Sequence, residues 1–389
     1  MNERTRRFAL SVLSGVVALA AALVILAVVL TVLGVDPFEA VAALFNFGET
    51  PRAQSNQIRA WINRSIPLFL AGLAVSVGFR MNLFNIGVEG QYRVAALFAA
   101  WAGAAVTLPK PLHLSYIIIV AMLSGAAYAA IPAVLKVTRG VNEVITTIML
   151  NSIAIALTAW LVRGPAVRAD LPDNTNPSTE PLPESGRLPG FTWIFDLFGL
   201  EPPSRPVNGF LWVAIVIGVV VAVVLRSSRF GFALRASGLN LTAAAASGIP
   251  ARRMIVQAML LSGALAGLIG LPQVLGEVYV FGDTFTAGLG FAGIAVALLG
   301  RNSPAGIAVA AVLFAFLDRA GPSLQREGIP PSVVVITQGV IVLTVVIVNE
   351  VGTRMVKRSE ERRAGGTQAA PEPPGTTPPA SPPAAEVRA

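Results

Sequence analysis

Long uncharged apolar runs constrain the fold of this chain more than any other feature. Val12–Leu33, Val213–Leu225 and Val333–Val348 contain no Asp, Glu, Lys or Arg. About 20 apolar residues form a helix that crosses the roughly 30 Å of hydrocarbon in a bilayer. The strands of a membrane barrel would instead alternate between apolar and polar residues. The sequence therefore predicts an all-α, polytopic membrane protein.

The composition agrees with this class. The chain is 54% hydrophobic and 13% charged, whereas a soluble domain carries roughly 25% charged residues. The absence of cysteine excludes disulfides and thiolate metal sites. The net charge of +8 is interpreted as the excess of Lys and Arg that orients membrane proteins, and not as a nucleic-acid surface.

Apolar windows predict about ten transmembrane helices. Their expected ranges are 8–34, 66–80, 93–108, 114–136, 143–162, 208–225, 254–275, 286–300, 303–318 and 332–350. The first apolar run is longer than the roughly 7–15 residues of a signal peptide, so it is expected to stay as a span. Placing both termini in the cytoplasm puts Arg4, Arg6 and Arg7 and most other connecting Lys and Arg inside, and most connecting acids outside.

This topology divides the chain into a transmembrane domain and a tail. Residues 1–350 form the domain, with an outside loop at 163–207 that has room for a short ordered element. Residues 351–389 are basic and rich in Pro and Ala, which predicts a disordered cytosolic tail.

The cytosolic segment 226–253 carries a short helix pattern, Leu241–Ser247. Asn240 is suited to cap its start, and Gly248 with Pro250 to end it. A plain connecting loop is one interpretation, but a docking helix for a cytosolic partner explains the caps better.

Residues for enzymatic chemistry are scarce. No G-x-x-x-x-G-K-[ST] phosphate loop occurs, and the single histidine, His113, falls in a predicted outside turn. We expect no catalytic residue and no metal site. Polar groups within an apolar interior then indicate transport.

The stretch "NLFNIGVEGQ", residues 82–91, interrupts the apolar sequence. The neighbouring predicted spans, 66–80 and 93–108, fall short of about 30 Å. If both cross the membrane, Asn85, Glu89 and Gln91 lie at membrane depth, where polar groups line a solute path. A cytosolic turn with a solvated Glu89 is the alternative.

A second polar cluster begins the fifth predicted span. Asn142 is placed to cap that helix. Thr146, Thr147 and Asn151 then face either a pathway or a neighbouring helix. Gln273 and Gln338 are further pathway candidates with the same alternative.

Four stretches resemble one family. "FNIGVEGQ", "GVNEVITTIMLN", "GLNLTAAAASGI" and "GFAGIAVALLGRNSPAG" occur in the same order in permease subunits of bacterial ABC importers. The group is the branched-chain-amino-acid/ribose permease family, in its simple-sugar and nucleoside branch. The resemblance covers Pro67 to Val348 without the outside loop.

The resemblance implies partners and cargo. We expect a second permease subunit in a heterodimer, a cytosolic ABC ATPase that binds ATP and Mg²⁺, an extracytoplasmic binding lipoprotein, surrounding membrane lipid, and no cofactor in this chain. It places the protein in the bacterial inner membrane. The residues of its solute path would be Asn82, Asn85, Glu89, Gln91, Thr146, Thr147, Asn151, Gln273 and Gln338. Its ATPase-coupling residues would be Arg235, Gly238, Asn240, Ala244, Gly248 and Ile249. The alternatives are an ion-coupled transporter that uses Glu89 and a permease for branched-chain amino acids.

Overall fold

The protein is all-α in the part of the chain that its computed structural model describes. That part comprises residues 36–169, 176–283 and 285–326, with separate positions between 24 and 34 and between 332 and 347. The helices are α1 Pro37–Leu44, α2 Pro51–Phe79, α3 Val88–Ala104, α4 Lys110–Arg139, α5 Glu143–Arg163, α6 Trp193–Leu197, α7 Phe210–Ser227, α8 Arg229–Leu239, α9 Leu241–Ala246, α10 Ala251–Gly267, α11 Leu271–Gly276, α12 Leu289–Leu299 and α13 Pro304–Arg326.

Five of these segments are long and apolar enough to cross a membrane: α2, α4, α5, α7, and α10 continued through α11. The predicted spans 114–136, 143–162 and 208–225 correspond to α4, α5 and α7 within a few residues. Most of the predicted span 8–34, seven of the nineteen residues of the predicted span 332–350, and the whole tail 351–389 lie outside the described residues. The count of ten spans and the positions of the termini remain predictions.

Helix α2 corrects one premise of the sequence analysis. It has 29 residues, about 43 Å at 1.5 Å per residue, so it is not the short span expected at 66–80. The Thr50 hydroxyl accepts a hydrogen bond from the Ala53 amide, and Pro51 occupies the first turn, where its missing N–H costs nothing. Polar residues in the first turns of α2 lower its hydropathy, so apolar windows did not predict where this helix begins.

Small residues bring α4 and α10 into backbone contact. A methyl group added to Gly263 would lie 2.4 Å from the Ala129 Cβ and 2.5 Å from the Gly125 carbonyl oxygen. A methyl group on Gly267 would lie 2.2 Å from the Ala121 carbonyl oxygen. Glycine and alanine spaced four residues apart thus form the extensive contact between these two helices.

The helix ends define two faces of the molecule. We call the end with the connection 164–207 the loop face, and the end with α8 and α9 the basic face; α7 runs between them. The loop face contains a 3₁₀ turn at Glu184–Gly186 and α6, so the connection, which has room for a short ordered element, contains two. It packs on the chain after α11, since the Leu182 and Thr179 amides donate to the Tyr279 and Phe281 carbonyls.

Two short helices begin inside the molecule. Helix α3 has 17 residues and α12 has 11, and the first turns of the two helices touch, because a methyl group on Gly290 would lie 2.4 Å from the Glu89 nitrogen. From this meeting point α3 runs toward the loop face, where Gly103 packs on Leu182, and α12 runs toward the basic face.

His113 lies inside α4, not in the predicted turn. Its ring nitrogens are 2.8 Å from the Ser185 hydroxyl and 2.9 Å from the Gly103 carbonyl oxygen, and the side chain is fully buried. The histidine therefore joins α4 to α3 and to the loop.

Candidate functional site

Glu89 binds the start of α12. One carboxylate oxygen accepts from the Gly288 amide at 2.8 Å, and the other accepts from the Gly290 amide at 2.9 Å. The Tyr92 hydroxyl lies 3.1 Å from the carboxylate and 2.7 Å from the Thr286 carbonyl. A carboxylate at this position satisfies free amides and complements the positive end of the helix dipole.

The amides of Asn85 and Gln91 pair with each other. Each side-chain nitrogen lies 3.0 Å from the other residue's oxygen, and the Asn85 nitrogen also donates to the Ser262 hydroxyl at 2.9 Å. Ser262 in turn donates to the Ala74 carbonyl. Asn85, Glu89 and Gln91 are at most 2% exposed, so Glu89 is not a solvated side chain, while the depth of this turn in the membrane stays a prediction. They join α2, α3, α10 and α12, while their place on a solute path stays a prediction.

Asn151 holds the same turn from α5. Its side-chain oxygen accepts from the Gly90 amide at 2.9 Å, and its nitrogen donates to the Ile86 carbonyl at 3.0 Å. Thr146 and Thr147 instead bond back to carbonyls within or just before α5. Asn142 caps α5 as predicted, through the Val144 amide. Of the predicted cluster, Asn151 forms hydrogen bonds with the turn that contains Asn85, and Thr147 packs against Gly87 of that turn.

A polar cavity opens between α2, α11 and α12, beside the loop face. It has a volume of about 560 Å³, and we call it the outer cavity. Its polar lining residues are Arg59, Asn63, Arg64, Arg205, Gln273, Glu277, Tyr279 and Thr286. Of the predicted pathway residues, only Gln273 lines it, with its oxygen 3.3 Å from the Thr286 amide.

Glu277 is the one acid among the residues that line the outer cavity. Its side chain is exposed to the cavity, and partial desolvation by the neighbouring protein raises the pKa of its carboxyl although Arg59 acts to lower it. Neither Glu277 nor Arg59 was predicted: Glu277 lies two residues after the predicted span 254–275, and Arg59 lies in the polar stretch before the span 66–80. A sequence signal existed for Glu277 alone, as a charge at the edge of an apolar run.

Gln338 lies apart from the outer cavity. Its side-chain nitrogen donates to the Asp318 carboxylate at 2.6 Å, and Arg64 binds the same carboxylate at 2.6 Å. This network ties α2 and α13 to the segment around Gln338. It also neutralises Arg64, which lines the cavity.

The basic face contains the predicted short helix, now α9. The Asn240 side chain accepts from the amides of Thr242 and Ala243, both at 3.0 Å, and Gly248 ends the turn with φ +83°. The Ile249 amide donates to the Ala244 carbonyl, and Ala244 is buried. Helix α8 precedes α9 and was not predicted; its Arg235 donates to the Leu225 carbonyl.

Backbone contacts link α8 to the residues that follow the C-terminal end of α12. A methyl group on Gly238 would lie 1.9 Å from the Arg80 carbonyl oxygen, and Asn82 donates to the Gly238 carbonyl at 2.7 Å. Arg80 donates to the Asn302 carbonyl at 2.8 Å, just after α12. A pocket of about 390 Å³ lies between these elements. Asn82 thus lies at the basic face and not beside Asn85.

Comparison with known proteins decides the class of this architecture. Residues 57–348 match the family described as the permease component of the branched-chain amino acid transport system. The chain belongs to this family. Members are membrane subunits of transporters, so this permease is a multi-pass protein of the plasma membrane and not an enzyme.

Three curated relatives of this permease give the range of the family. The guanosine ABC transporter permease NupP of Bacillus subtilis is 37% identical over 324 residues, 82% of this chain and 88% of the relative. The glucose ABC transporter permease TsgB13 of Haloferax volcanii is 34% identical, covering 83% and 84%. The guanosine permease NupQ of Bacillus subtilis is 25% identical, covering 64% and 76%.

Among the described residues, no group of three or more His, Asp or Glu is placed to hold a metal ion. The expectation that ATP and Mg²⁺ bind only to a partner subunit stays a prediction.

Proposed function

We propose that this permease is the membrane subunit of an ATP-driven importer of nucleosides or simple sugars. The supporting observation is the identity of 37% and 34% to a guanosine and a glucose permease over more than four fifths of each protein. The apolar side chain of a branched-chain amino acid would leave the arginines and amides that line the outer cavity without hydrogen-bond partners.

The proposed complex has four kinds of partner. Bacillus subtilis has two guanosine permeases, NupP and NupQ, that both align with this chain, which supports a heterodimer with a second permease. A separate ABC ATPase would bind ATP and Mg²⁺ at the basic face, and a binding lipoprotein would dock on the loop face. Lipid or the second permease would cover exposed apolar side chains such as Ile153 and Val219.

The loop face is proposed to lie outside and the basic face in the cytoplasm. Arg226 and Arg229 flank the junction of α7 and α8, and Arg252 and Arg253 begin α10. The positive-inside rule then orients the chain in the membrane.

In this orientation the solute enters at the outer cavity, where Gln273 lies. Glu89 shapes its route by holding α12, whose first residue lines that cavity, and Asn85 and Gln91 shape it by joining α3 to α10. ATPase movement would reach α12 from α8 and α9, through the contact of Gly238 with Asn82 and then through Arg80 and Asn302.

The energy source is tested by uptake into proteoliposomes. The chain is reconstituted with its second permease, ATPase and binding protein, and labelled guanosine or glucose is added. Uptake is expected to require ATP and to continue after ion gradients are collapsed. Uptake driven by an ion gradient without ATP would contradict the proposal and favour ion coupling.

The coupling role of α9 is tested with Asn240→Ala. Loss of this cap destabilises a six-residue helix by about 1 kcal/mol, so uptake per ATP hydrolysed should fall while membrane insertion stays normal. Asn240→Ser keeps a capping oxygen and is the matched control. An unchanged ratio of uptake to hydrolysis in Asn240→Ala would remove α9 from the coupling route.

A further inference from the structure

The outer cavity holds opposite charges that do not neutralise each other. Arg64 is bound by Asp318 at 2.6 Å, which leaves Arg59 and Arg205 as the arginines that face Glu277. Both act on Glu277 electrostatically, but neither forms an ion pair with it among the described residues. A space therefore separates the Glu277 carboxylate from the guanidinium groups of Arg59 and Arg205.

A chain of buried amides fixes the Glu277 carboxylate. The Asn63 nitrogen donates to one carboxylate oxygen at 3.3 Å, and the Asn63 oxygen accepts from the Asn208 amide at 2.9 Å. The Asn208 side chain is held in turn by the Pro272 carbonyl and the Phe210 amide. Asn63 and Asn208 are 8% and 3% exposed, so the brace is part of the protein interior.

This brace uses only part of the acceptor capacity of the carboxylate. An ionised carboxylate has about four acceptor positions, and Asn63 occupies one. Glu277 is exposed in the cavity, so the remaining positions are open to a ligand, and Arg59 and Arg205 line the same cavity with guanidinium donors. A ligand that fits must offer adjacent donors to Glu277 and adjacent acceptors to an arginine.

We propose that Glu277 binds a vicinal diol of the solute, with Arg59 or Arg205 donating to the same hydroxyl oxygens. A hydroxyl is both a donor and an acceptor, so two neighbouring hydroxyls meet both requirements in one small group. Nucleosides and simple sugars differ in most other features but share such a diol. This assignment rests on the proposed function and names the group by which the permease recognises both solute classes.

A hydrogen bond between a hydroxyl and a charged partner contributes a factor of about ten to a hundred in affinity. We therefore expect wild-type uptake to favour a ribonucleoside over its 2′-deoxy analogue. Glu277→Gln keeps the size of the side chain but replaces one acceptor oxygen by a donor, so it cannot accept from both hydroxyls.

The experiment measures initial uptake of guanosine and 2′-deoxyguanosine by the complete reconstituted complex, with wild type and with Glu277→Gln. The binding protein also discriminates between these solutes, but it does so equally with the wild-type and the variant permease. Its contribution therefore cancels when the guanosine-to-2′-deoxyguanosine uptake ratio of wild type is divided by that of Glu277→Gln. We expect Glu277→Gln to lower guanosine uptake about ten- to a hundredfold and to bring the ribose preference close to one. Glu39→Gln changes an exposed acid of α1, outside the connection 164–207; it is the control and should change neither rate.

Equal losses for both solutes would overturn the assignment and make Glu277 a purely structural group. The guanine base edge is a second possible source of paired donors, and inosine tests it because it lacks the guanine amino group. If Glu277→Gln abolishes the preference for guanosine over inosine and keeps the preference for ribose, the base edge binds Glu277 and the diol does not. Where Glu277→Gln fails to assemble, Glu277→Asp keeps the charge, withdraws it by one methylene group, and should lose the same preference. A wild-type complex that imports neither nucleosides nor sugars would instead refute the proposed function.

Discussion

Replacing Glu89 with glutamine tests whether this residue holds α12 or carries an ion. The carboxylate accepts from two amides of the first turn of α12, at 2.8 and 2.9 Å. In Glu89→Gln one of these acceptors becomes an amide nitrogen, so a buried backbone N–H loses its partner and faces another donor. The negative charge at the positive end of the helix is lost as well.

The expected loss of stability follows from these two effects. A buried donor left without a partner costs about 1–3 kcal/mol, and the lost interaction with the helix dipole costs about 0.3–1 kcal/mol. Together they predict a decrease of about 1–4 kcal/mol in the free energy of unfolding. At about 2–4 °C per kcal/mol, the midpoint of thermal unfolding should fall by several degrees.

The assay is thermal unfolding of the purified permease in detergent, followed by ATP-driven uptake with the variant. Glu201→Gln removes an exposed carboxylate and should leave the midpoint unchanged, whereas Tyr92→Phe removes only the hydroxyl at 3.1 Å and should have a smaller effect. A midpoint of Glu89→Gln equal to that of wild type, combined with a changed pH dependence of uptake, would refute the capping argument and favour an ion-binding role.

Two further outcomes test the helix packing and the outer cavity. Gly263→Leu should prevent the close approach of α4 and α10, because its first methylene would lie 2.4 Å from the Ala129 Cβ. Overpacking of this kind costs about 1–3 kcal/mol or more in stability. Gel filtration of the detergent-solubilised protein checks this, and Ala127→Leu, on the exposed side of α4, is the control. The raised pKa of Glu277 means that its carboxyl takes up a proton at a higher pH than an ordinary glutamate, whose pKa is 4.5. The midpoint of the fall in uptake on acidification should therefore lie above pH 4.5. A profile of initial uptake against pH that stays the same in Glu277→Gln would contradict this.

Features that depend on neighbouring residues could be predicted from the sequence. The helical membrane class follows from the length of the apolar runs, and α5 begins at the predicted residue because Asn142 caps it. The cap of α9 by Asn240 is local in the same way. Helix α2 shows where this reasoning fails: polar side chains in its first turns lowered the hydropathy, and only the Thr50 cap with Pro51 marks its start.

Tertiary structure alone decided the roles of the polar residues. Glu89 binds amides 199 and 201 residues later in the chain, and Asn63 reaches Glu277 across 214 residues. Hydrogen-bond partners at such separations depend on how the helices pack, and packing leaves no periodic signal near either residue. The sequence thus determined that buried polar groups occur between apolar helices, because apolar length and helix caps are local properties. The fold determined which of them hold helices together and which line a cavity, because that depends on the space between helices.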